Sequence, residues 1–215
     1  MSKLSALIQL LFQPKKLKSV LSFGNKGYLA QIGWFKALET QSPVAADGSP
    51  IPWVTYSFID FIKNRVQKEH TIFEFGSGNS TLFYAKLAGK VVAVEHDKPW
   101  FDRISKDKPA NAEMIFSELE KDGKYCRTPL SLPEKFDIII VDGRDRVNCC
   151  KQSLGALTDR GVVVLDDSER DFYRPGIEFL KENGFRELPF SGISPGLFYN
   201  KSTSIFYRSN NCLGI

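Results

Sequence analysis

The chain has 215 residues, with a hydrophobic content of 42%, a charged content of 25% and a formal net charge of +4. This length and composition are typical of one globular α/β domain, and so mild a positive charge does not indicate a nucleic-acid-binding protein. Cys149 and Cys150 are adjacent in a helical pattern, which does not fit a disulfide framework or a zinc knuckle. We therefore expect reduced thiols and a cytoplasmic protein.

The N-terminal segment predicts an amphipathic helix. Apolar side chains share one helical face at Leu4, Leu7, Ile8, Leu11 and Phe12. The run is too short to span a bilayer, and the lysines that follow it do not fit a signal peptide. Two interpretations stay open: the helix packs on the domain or on a second copy in a homodimer, or it makes peripheral contact with a membrane. Proline-rich turns follow, so we expect a helical extension and loop over residues 1–55 and one domain over 56–215.

From Tyr56 onward, strand-like and helix-like segments alternate. The predicted strands are Ile72–Phe75, Val91–Val94, Ala112–Phe116, Phe136–Val141, Gly161–Leu165, Phe185–Phe190 and Ser204–Tyr207. The first predicted helix starts at Tyr56. Further predicted helices cover Thr81–Ala88, Trp100–Ser105 and Arg174–Asn183, and another contains the helical repeat of Val147, Cys150, Leu154 and Leu157. Continuous apolar runs indicate strands buried on both faces, and the last two strands lack a crossover helix. The pattern predicts an α/β fold with a doubly wound, seven-stranded, mostly parallel sheet and an antiparallel last strand.

The segment Thr71–Ser80 predicts a ligand-binding turn. A buried strand ends at Glu74 and Phe75, and the chain then turns through Gly76 and Gly78 into a helix. Glycines let the backbone approach a ligand closely, and the helix N-terminus offers free N–H groups. A dinucleotide fingerprint would have Gly or Ala at the position of Thr81, and the Gly-Lys-Ser/Thr of a P-loop is absent.

Acidic residues follow three of the other predicted strands. Glu95 follows the second strand, Asp142 the fourth, and Asp166 and Asp167 the fifth. Since ligands of open α/β sheets bind at the carboxyl ends of the strands, we expect these side chains to share one edge with the glycine turn. Glu95 is placed to accept the two hydroxyls of a ribose, and Glu74, buried inside the first strand, needs a partner such as a ligand ammonium.

This ordered set resembles the class I S-adenosylmethionine-dependent methyltransferases. The resemblance rests on Glu74-Phe-Gly-Ser-Gly78, Val94-Glu95, Phe136–Asp142 and Gly161–Asp167, and it covers residues 56 to 208. It implies a Rossmann-like methyltransferase fold with S-adenosyl-L-methionine as cofactor. The cofactor-binding residues that it implies are Glu74, Gly76, Ser77, Gly78, Asn79, Ser80, Glu95, His96, Ser117, Glu118 and Asp142. The resemblance to a bacterial group described below adds Trp53 and Tyr56, which either close over the cofactor, stack on a sugar ring or are plain core aromatics.

A narrower resemblance concerns the aspartates. Metal-dependent O-methyltransferases place an Asp after strand four and an acidic pair after strand five, which here are Asp142, Asp166 and Asp167. The resemblance implies that these three hold Mg²⁺, a hard ion that prefers oxygen ligands. Those that act on catechols have a lysine three residues after the first Asp, and here that position holds Asp145. Asp145 is therefore a candidate base, unless a metal-bound alkoxide suffices. Asp142 and Arg146 are the other candidate catalytic residues. Alternatively, Asp166 and Asp167 only shape a turn and cap a helix.

The chain also resembles a bacterial group of such enzymes whose genes often lie near those of surface-glycan synthesis. The matching segments are Pro52-Trp53-Val-Thr55-Tyr56 and Phe190-Ser191-Gly192-Ile-Ser-Pro195. The resemblance implies O-methylation of a sugar, a glycan or another small hydroxylated acceptor, with Arg144 and Arg146 holding an anionic group of the substrate. Nucleic-acid methyltransferases, aminopropyl transferases and non-catalytic S-adenosylmethionine-binding modules stay as alternatives.

Overall fold

A computed structural model describes residues 11–23 and 26–215 of the chain. Its centre is one sheet of seven strands in the order β3-β2-β1-β4-β5-β7-β6, in which β7 is antiparallel to both neighbours. The strands are β1 (Thr71–Phe75), β2 (Lys90–Glu95), β3 (Ala112–Phe116), β4 (Phe136–Val141), β5 (Leu157–Asp166), β6 (Arg186–Gly192) and β7 (Lys201–Tyr207). The predicted α/β fold with an antiparallel last strand is confirmed.

Helices cover both faces of the sheet and create two hydrophobic clusters. The helices are α1 (Pro14–Ser22), α2 (Tyr28–Gln31), α3 (Trp34–Thr40), α4 (Tyr56–Ile62), α5 (Asn79–Leu87), α6 (Lys98–Ile104), α7 (Lys124–Arg127), α8 (Arg146–Ala156) and α9 (Arg174–Glu182). Alternate residues of β1 belong to opposite clusters, with Ile72 on the side of Phe58 and Phe73 on the side of Phe136. This alternation is why apolar residues occupy both faces of the central strands, with exceptions such as Glu74 and Asp137.

The largest departure from the predicted segment boundaries lies where α8 meets β5. Leu157 was expected on the helix with Val147 and Leu154, but α8 ends at Ala156 and Leu157 is the first residue of β5, where it pairs with Phe136. β5 thus begins before its apolar run, and its pairing with β4 shifts register between Phe136 and Ile138. Helical spacing of apolar residues thus continued by chance into a strand.

The segment before the sheet packs on the domain from Leu29 onward. Trp34 is buried, and its indole N–H donates to the Leu197 carbonyl at 2.9 Å. Gly33 touches the loop at Ala45 and Ala46 so closely that a Cβ would lie 2.3 Å from the backbone nitrogen of Ala46. The division into 1–55 and 56–215 stays a prediction. Within the described ranges, no helix is long and apolar enough to cross a membrane, and the predicted face of Leu4, Leu7 and Ile8 lies outside them.

Candidate functional site

The turn after β1 packs directly against the loop after β4. Gly76 has φ of +96°, and a Cβ on it would lie 3.3 Å from the Gly143 Cα. A Cβ on Gly143 would lie 2.0 Å from the Tyr125 hydroxyl oxygen and 2.9 Å from the backbone nitrogen of Gly76. A side chain at either glycine would force the two loops apart, so both glycines determine the shape of this edge of the sheet.

Thr81, which stands in place of the third fingerprint glycine, organises the turn through its hydroxyl. The hydroxyl donates to Glu74 Oε2 at 2.6 Å and accepts the Gly78 N–H at 3.1 Å, in a fully buried position on α5. Burial raises the pKa of Glu74 to about 7, although hydrogen bonds from Ser80 and Thr81 oppose the shift. A buried carboxyl that titrates near neutral pH is suited to bind a cationic group of a ligand.

Glu95, at the end of β2, is held toward the same turn by three hydrogen bonds. Its Oε2 accepts from the Ser77 hydroxyl at 2.9 Å, and its Oε1 accepts the backbone N–H groups of His96 at 2.8 Å and Asp97 at 2.9 Å. The His96 Nδ1 lies 2.9 Å from Oε1. Because each carboxylate oxygen has two lone pairs, Oε2 keeps acceptor capacity for a ligand hydroxyl.

These groups line one open cavity of about 310 Å³ at the carboxyl edge of the sheet. It is lined by Glu74, Phe75, Gly76, Ser77, Ser80, Glu95, His96, Asp142, Gly143, Arg144 and Arg146. The structure therefore brings together side chains that follow β1, β2 and β4. Most of the cofactor-binding residues expected on these three loops border the cavity, and Arg146 borders it as well.

Two expected aromatic residues lie elsewhere. Tyr56 is buried and lines a separate cavity of about 410 Å³ with Ile59 and Phe83. Its hydroxyl is buried without a hydrogen-bond partner in the part of the chain that the structure describes. The Trp53 indole donates to the Pro195 carbonyl at 2.8 Å, which fixes it on the loop between β6 and β7. Neither ring borders the site cavity.

Four further expected cofactor residues lie next to the cavity without lining it. Asn79 donates to the Pro43 carbonyl at 2.8 Å, which ties the N-terminal loop to the start of α5. The Gly78 N–H is occupied by Thr81. The Ser117 N–H donates to the Glu95 carbonyl at 3.0 Å, and Glu118 is exposed. These four residues therefore do not line the cavity itself.

The three aspartates predicted as metal ligands do converge, but cationic side chains lie among them. The Lys201 ammonium donates to Asp166 Oδ2 at 2.6 Å and lies 2.9 Å from Asp167 Oδ1. The Arg146 guanidinium donates to Asp142 Oδ1 at 3.0 Å and to Asp167 Oδ2 at 3.3 Å. Burial lowers the pKa of Lys201, but the Asp166 and Asp167 charges outweigh it and raise the pKa above its ordinary value. Lys201 is therefore charged at neutral pH.

Asp166 and Asp167 have further protein partners in this cluster. Thr203 donates its hydroxyl to Asp166 Oδ1 at 2.7 Å, and Arg170 lies 3.1 Å from Asp167 Oδ2. Across residues 11–23 and 26–215, no group of three His, Cys, Asp or Glu is arranged to hold a metal. The arrangement disagrees with the predicted magnesium site at Asp142, Asp166 and Asp167, because three cationic side chains already balance the three aspartates.

The candidate catalytic residues have different surroundings. Asp145 has φ of +48° and accepts the Asp122 N–H at 2.8 Å and the Asn148 amide, so it supports a surface loop and does not border the cavity. Arg146 is buried as a counter-ion. Asp142 borders the cavity, and burial together with the Asp166 charge raises its pKa well above the ordinary value, against Arg146 and the Lys201 charge. Asp145 is thus poorly placed as a base, and Asp142 is well placed.

Sequence reasoning missed three residues that shape the site. Lys201 comes from β7, and nothing in its neighbourhood in the sequence signals that it is buried. Trp100 covers the glycine turn by donating its indole N–H to the Ser77 carbonyl at 2.9 Å. Gly143 follows Asp142 directly, and a Gly after an acid at a strand end was the available signal for it.

No family model and no curated protein matches this sequence. Among solved structures, the chain is similar to a methyltransferase-like protein from Silicibacter pomeroyi at 19% identity and a TM-score of 0.55, over 74% of this chain and 89% of that chain. It is also similar to an rRNA methylase from Streptococcus thermophilus at 18% identity and a TM-score of 0.51, over 69% of this chain and 92% of that chain.

A third similar structure is a proposed methyltransferase from Streptococcus mutans, solved in complex with SAH. It shares 15% identity with a TM-score of 0.52, over 72% of this chain and 99% of that chain. At such identities the likeness concerns the fold. With its strand order and its antiparallel β7, the chain has the fold of the class I S-adenosylmethionine-dependent methyltransferases.

Proposed function

We propose that the chain is an S-adenosylmethionine-dependent methyltransferase that acts on the hydroxyl of a small acceptor, with a sugar or glycan as the first class to test. One observation carries the proposal: Glu74, the Gly76 turn and Glu95 border a single cavity at the carboxyl edge of a methyltransferase-like sheet. The fold alone is compatible with several chemistries, so these side chains, and not the fold, support the proposed function.

The cavity fits the groups of an adenosyl sulfonium. Glu95 would accept the ribose hydroxyls, and Glu74 would face the ammonium of the methionine part. Arg144 is exposed at the cavity and is suited to bind a carboxylate of the cofactor or of the acceptor. In this proposal the ligand contacts Glu74, Glu95 and Arg144, the charged side chains of the cavity that are not paired within the aspartate cluster.

The reaction would be a direct displacement. A lone pair of the acceptor oxygen forms a bond to the methyl carbon as the carbon–sulfur bond breaks, and S-adenosylhomocysteine leaves. The protein supplies alignment and excludes water. Asp142 would take the hydroxyl proton, because one of its oxygens is bound to Arg146 and its raised pKa makes it a better base.

Two alternatives make different predictions. The similarity to an rRNA methylase raises the possibility of a nucleic-acid acceptor, which would require a basic face around the cavity. The cavity instead has Glu74, Glu95 and Asp142 against Arg144 and Arg146. A non-catalytic module would bind the cofactor and transfer methyl to no acceptor.

The first experiment is calorimetric titration with S-adenosylhomocysteine. Glu95→Gln keeps the shape of the side chain but removes the charge, and we expect about 10- to 100-fold weaker binding. Glu113→Gln, on the exposed part of β3, is the matched control and should bind like the wild type. Absence of binding by the wild type, or equal losses in both variants, would overturn the assignment of this cavity.

The second experiment measures transfer of a labelled methyl group. Sugars, a bacterial glycan extract and ribosomal RNA are offered as acceptors, each with and without EDTA. Label on a hydroxylated small acceptor that resists EDTA supports the proposal. Label on RNA would assign the nucleic-acid alternative, and binding without transfer to any acceptor would assign the non-catalytic one.

A further inference from the structure

The N-terminal helix α1 leaves its apolar side uncovered. None of the residues Pro14–Ser22 is buried in the described part of the chain. The exposed large apolar side chains of this region are Leu11, Phe12, Val20, Leu21, Phe23 and Tyr28. Leu17 and Leu21 line a shallow groove of about 430 Å³ together with Lys18 and Lys26. Across residues 11–23 and 26–215, therefore, no other part of the protein fully buries a residue of this helix.

The contrast with the next residues is sharp. Leu29, Ile32 and Phe35 pack against the hydrophobic core, and Trp34 is part of it. The domain thus covers Leu29, Ile32, Trp34 and Phe35, whereas Val20 and Leu21 of α1 are exposed. An exposed group of apolar side chains of this kind marks a surface that another molecule covers.

Charge is segregated along the chain in the same way. Residues 1–38 contain six lysines and no arginine, aspartate or glutamate. The other 23 Lys and Arg are outnumbered by the 25 Asp and Glu, so the N-terminal segment holds all of the net positive charge. Lys15, Lys16 and Lys18 lie on α1 itself and are exposed. The partner of this helix must therefore accept both positive charge and apolar side chains.

We propose that α1 and the residues next to it bind an anionic lipid surface. A short basic helix with Leu and Phe on its other side lies in the headgroup region, where lysines contact phosphates and apolar side chains enter the acyl boundary. A nine-residue helix is about 14 Å long and cannot by itself bury the roughly 800 Å² per partner of a stable protein interface. An RNA surface would favour arginine and offer no place for aliphatic side chains.

Vesicle flotation with the full chain tests this surface. We expect the protein to float with vesicles of equal parts phosphatidylcholine and phosphatidylglycerol at low salt, and not with phosphatidylcholine alone. Raising the ionic strength should weaken the binding, because salt screens exposed charges. Neutralising Lys15, Lys16 and Lys18 to glutamine should weaken partitioning by about 100-fold, since each lysine near such a surface contributes a factor of about five.

Matched variants separate the helix from net charge. Lys106→Gln, Lys121→Gln and Lys151→Gln remove the same charge from exposed positions elsewhere and should leave vesicle binding close to wild type. Leu17→Ser with Leu21→Ser keeps every lysine and should weaken binding by at least about tenfold, because apolar burial is lost. Binding of S-adenosylhomocysteine should not change in any of these variants, so this test is independent of the proposed function.

Three outcomes would overturn the proposal. Equal loss in the two lysine sets would show a response to net charge alone. A dimer of the full chain that dissociates on Leu17→Ser and Leu21→Ser, without vesicle binding, would assign the surface to a second copy. Binding to RNA in place of vesicles, lost with the α1 lysines, would assign it to nucleic acid.

Discussion

Replacing Lys201 by methionine tests the conclusion that a protein cation occupies the place expected for a metal. Methionine keeps much of the length of the side chain but removes the ammonium that lies 2.6 Å from Asp166 and 2.9 Å from Asp167. It also leaves the Trp53 carbonyl, 3.1 Å from the ammonium, without this donor. The lysine side chain is only 5% exposed, so water cannot replace it fully.

The expected loss is large because a buried charge pair is broken from one side. Removing one partner of such a pair costs about 3–5 kcal/mol. For a domain of this size, that corresponds to a fall in Tm of about 6–20 °C. Lys181→Met is the matched control, since Lys181 lies 2.6 Å from Glu187 but is 49% exposed. An exposed pair contributes at most about 1 kcal/mol, so its Tm should fall by no more than about 4 °C.

Thermal unfolding, with and without MgCl₂, measures both effects. The wild-type Tm should not respond to magnesium beyond the response of the Lys181→Met control, because protein donors already occupy both oxygens of Asp166 and one oxygen of Asp142. Equal Tm losses in the two variants would refute the buried ionic cluster. A specific rise of the wild-type Tm with magnesium would show that the ion displaces Lys201, and would restore the metal-assisted mechanism.

Three further predictions concern the glycine turn. Thr81→Val should lower the free energy of urea unfolding by about 2–3 kcal/mol, because it removes one hydrogen bond from buried Glu74 and leaves the buried Gly78 N–H without this acceptor; an unchanged midpoint would contradict this. The pKa of Glu74 is raised to about 7 in the folded protein, so the unfolded state releases the proton at lower pH. The unfolding free energy of the wild type should therefore fall by about 3 kcal/mol relative to that of Glu74→Gln as pH rises from about 4.5 to 7. A difference between the two proteins that does not change with pH would refute the assignment. Gly143→Ala should weaken S-adenosylhomocysteine binding at least tenfold, roughly one step of 1.4 kcal/mol, whereas Gly155→Ala, which meets only the flexible Leu130 side chain, should bind normally.

The fold was predictable because its signal is local and repeated. Each central strand contains an apolar run, such as residues 138–141, and each is followed by a turn residue or an acid. Handedness and burial then leave few topologies. The boundary at Leu157 was missed, because a helix and a strand can both continue the same apolar spacing for one more residue.

The site was predictable only in part. Glu74, Gly76 and Glu95 were recognisable because their roles depend on the strand that each one ends or follows. Arg146 was open to interpretation either as a partner of Asp142 or as a residue that holds the substrate, and nothing in the sequence indicated Lys201 beside Asp166 and Asp167. Lys201 is 35 positions from Asp166 and reaches it because β7 pairs with β5 in antiparallel register, a long-range contact that sequence spacing does not encode.

The buried cations also determine which charges remain for a ligand. Arg146, Arg170 and Lys201 balance Asp142, Asp166 and Asp167, so that cluster adds little net charge to the cavity. Glu74 and Glu95 are not paired with these three cations, and Arg144 lines the same cavity. Opposite charges attract strongly in such a partly dry site. These charges support the proposed ligand, because S-adenosylmethionine carries two cationic groups, its sulfonium and its ammonium, together with one carboxylate.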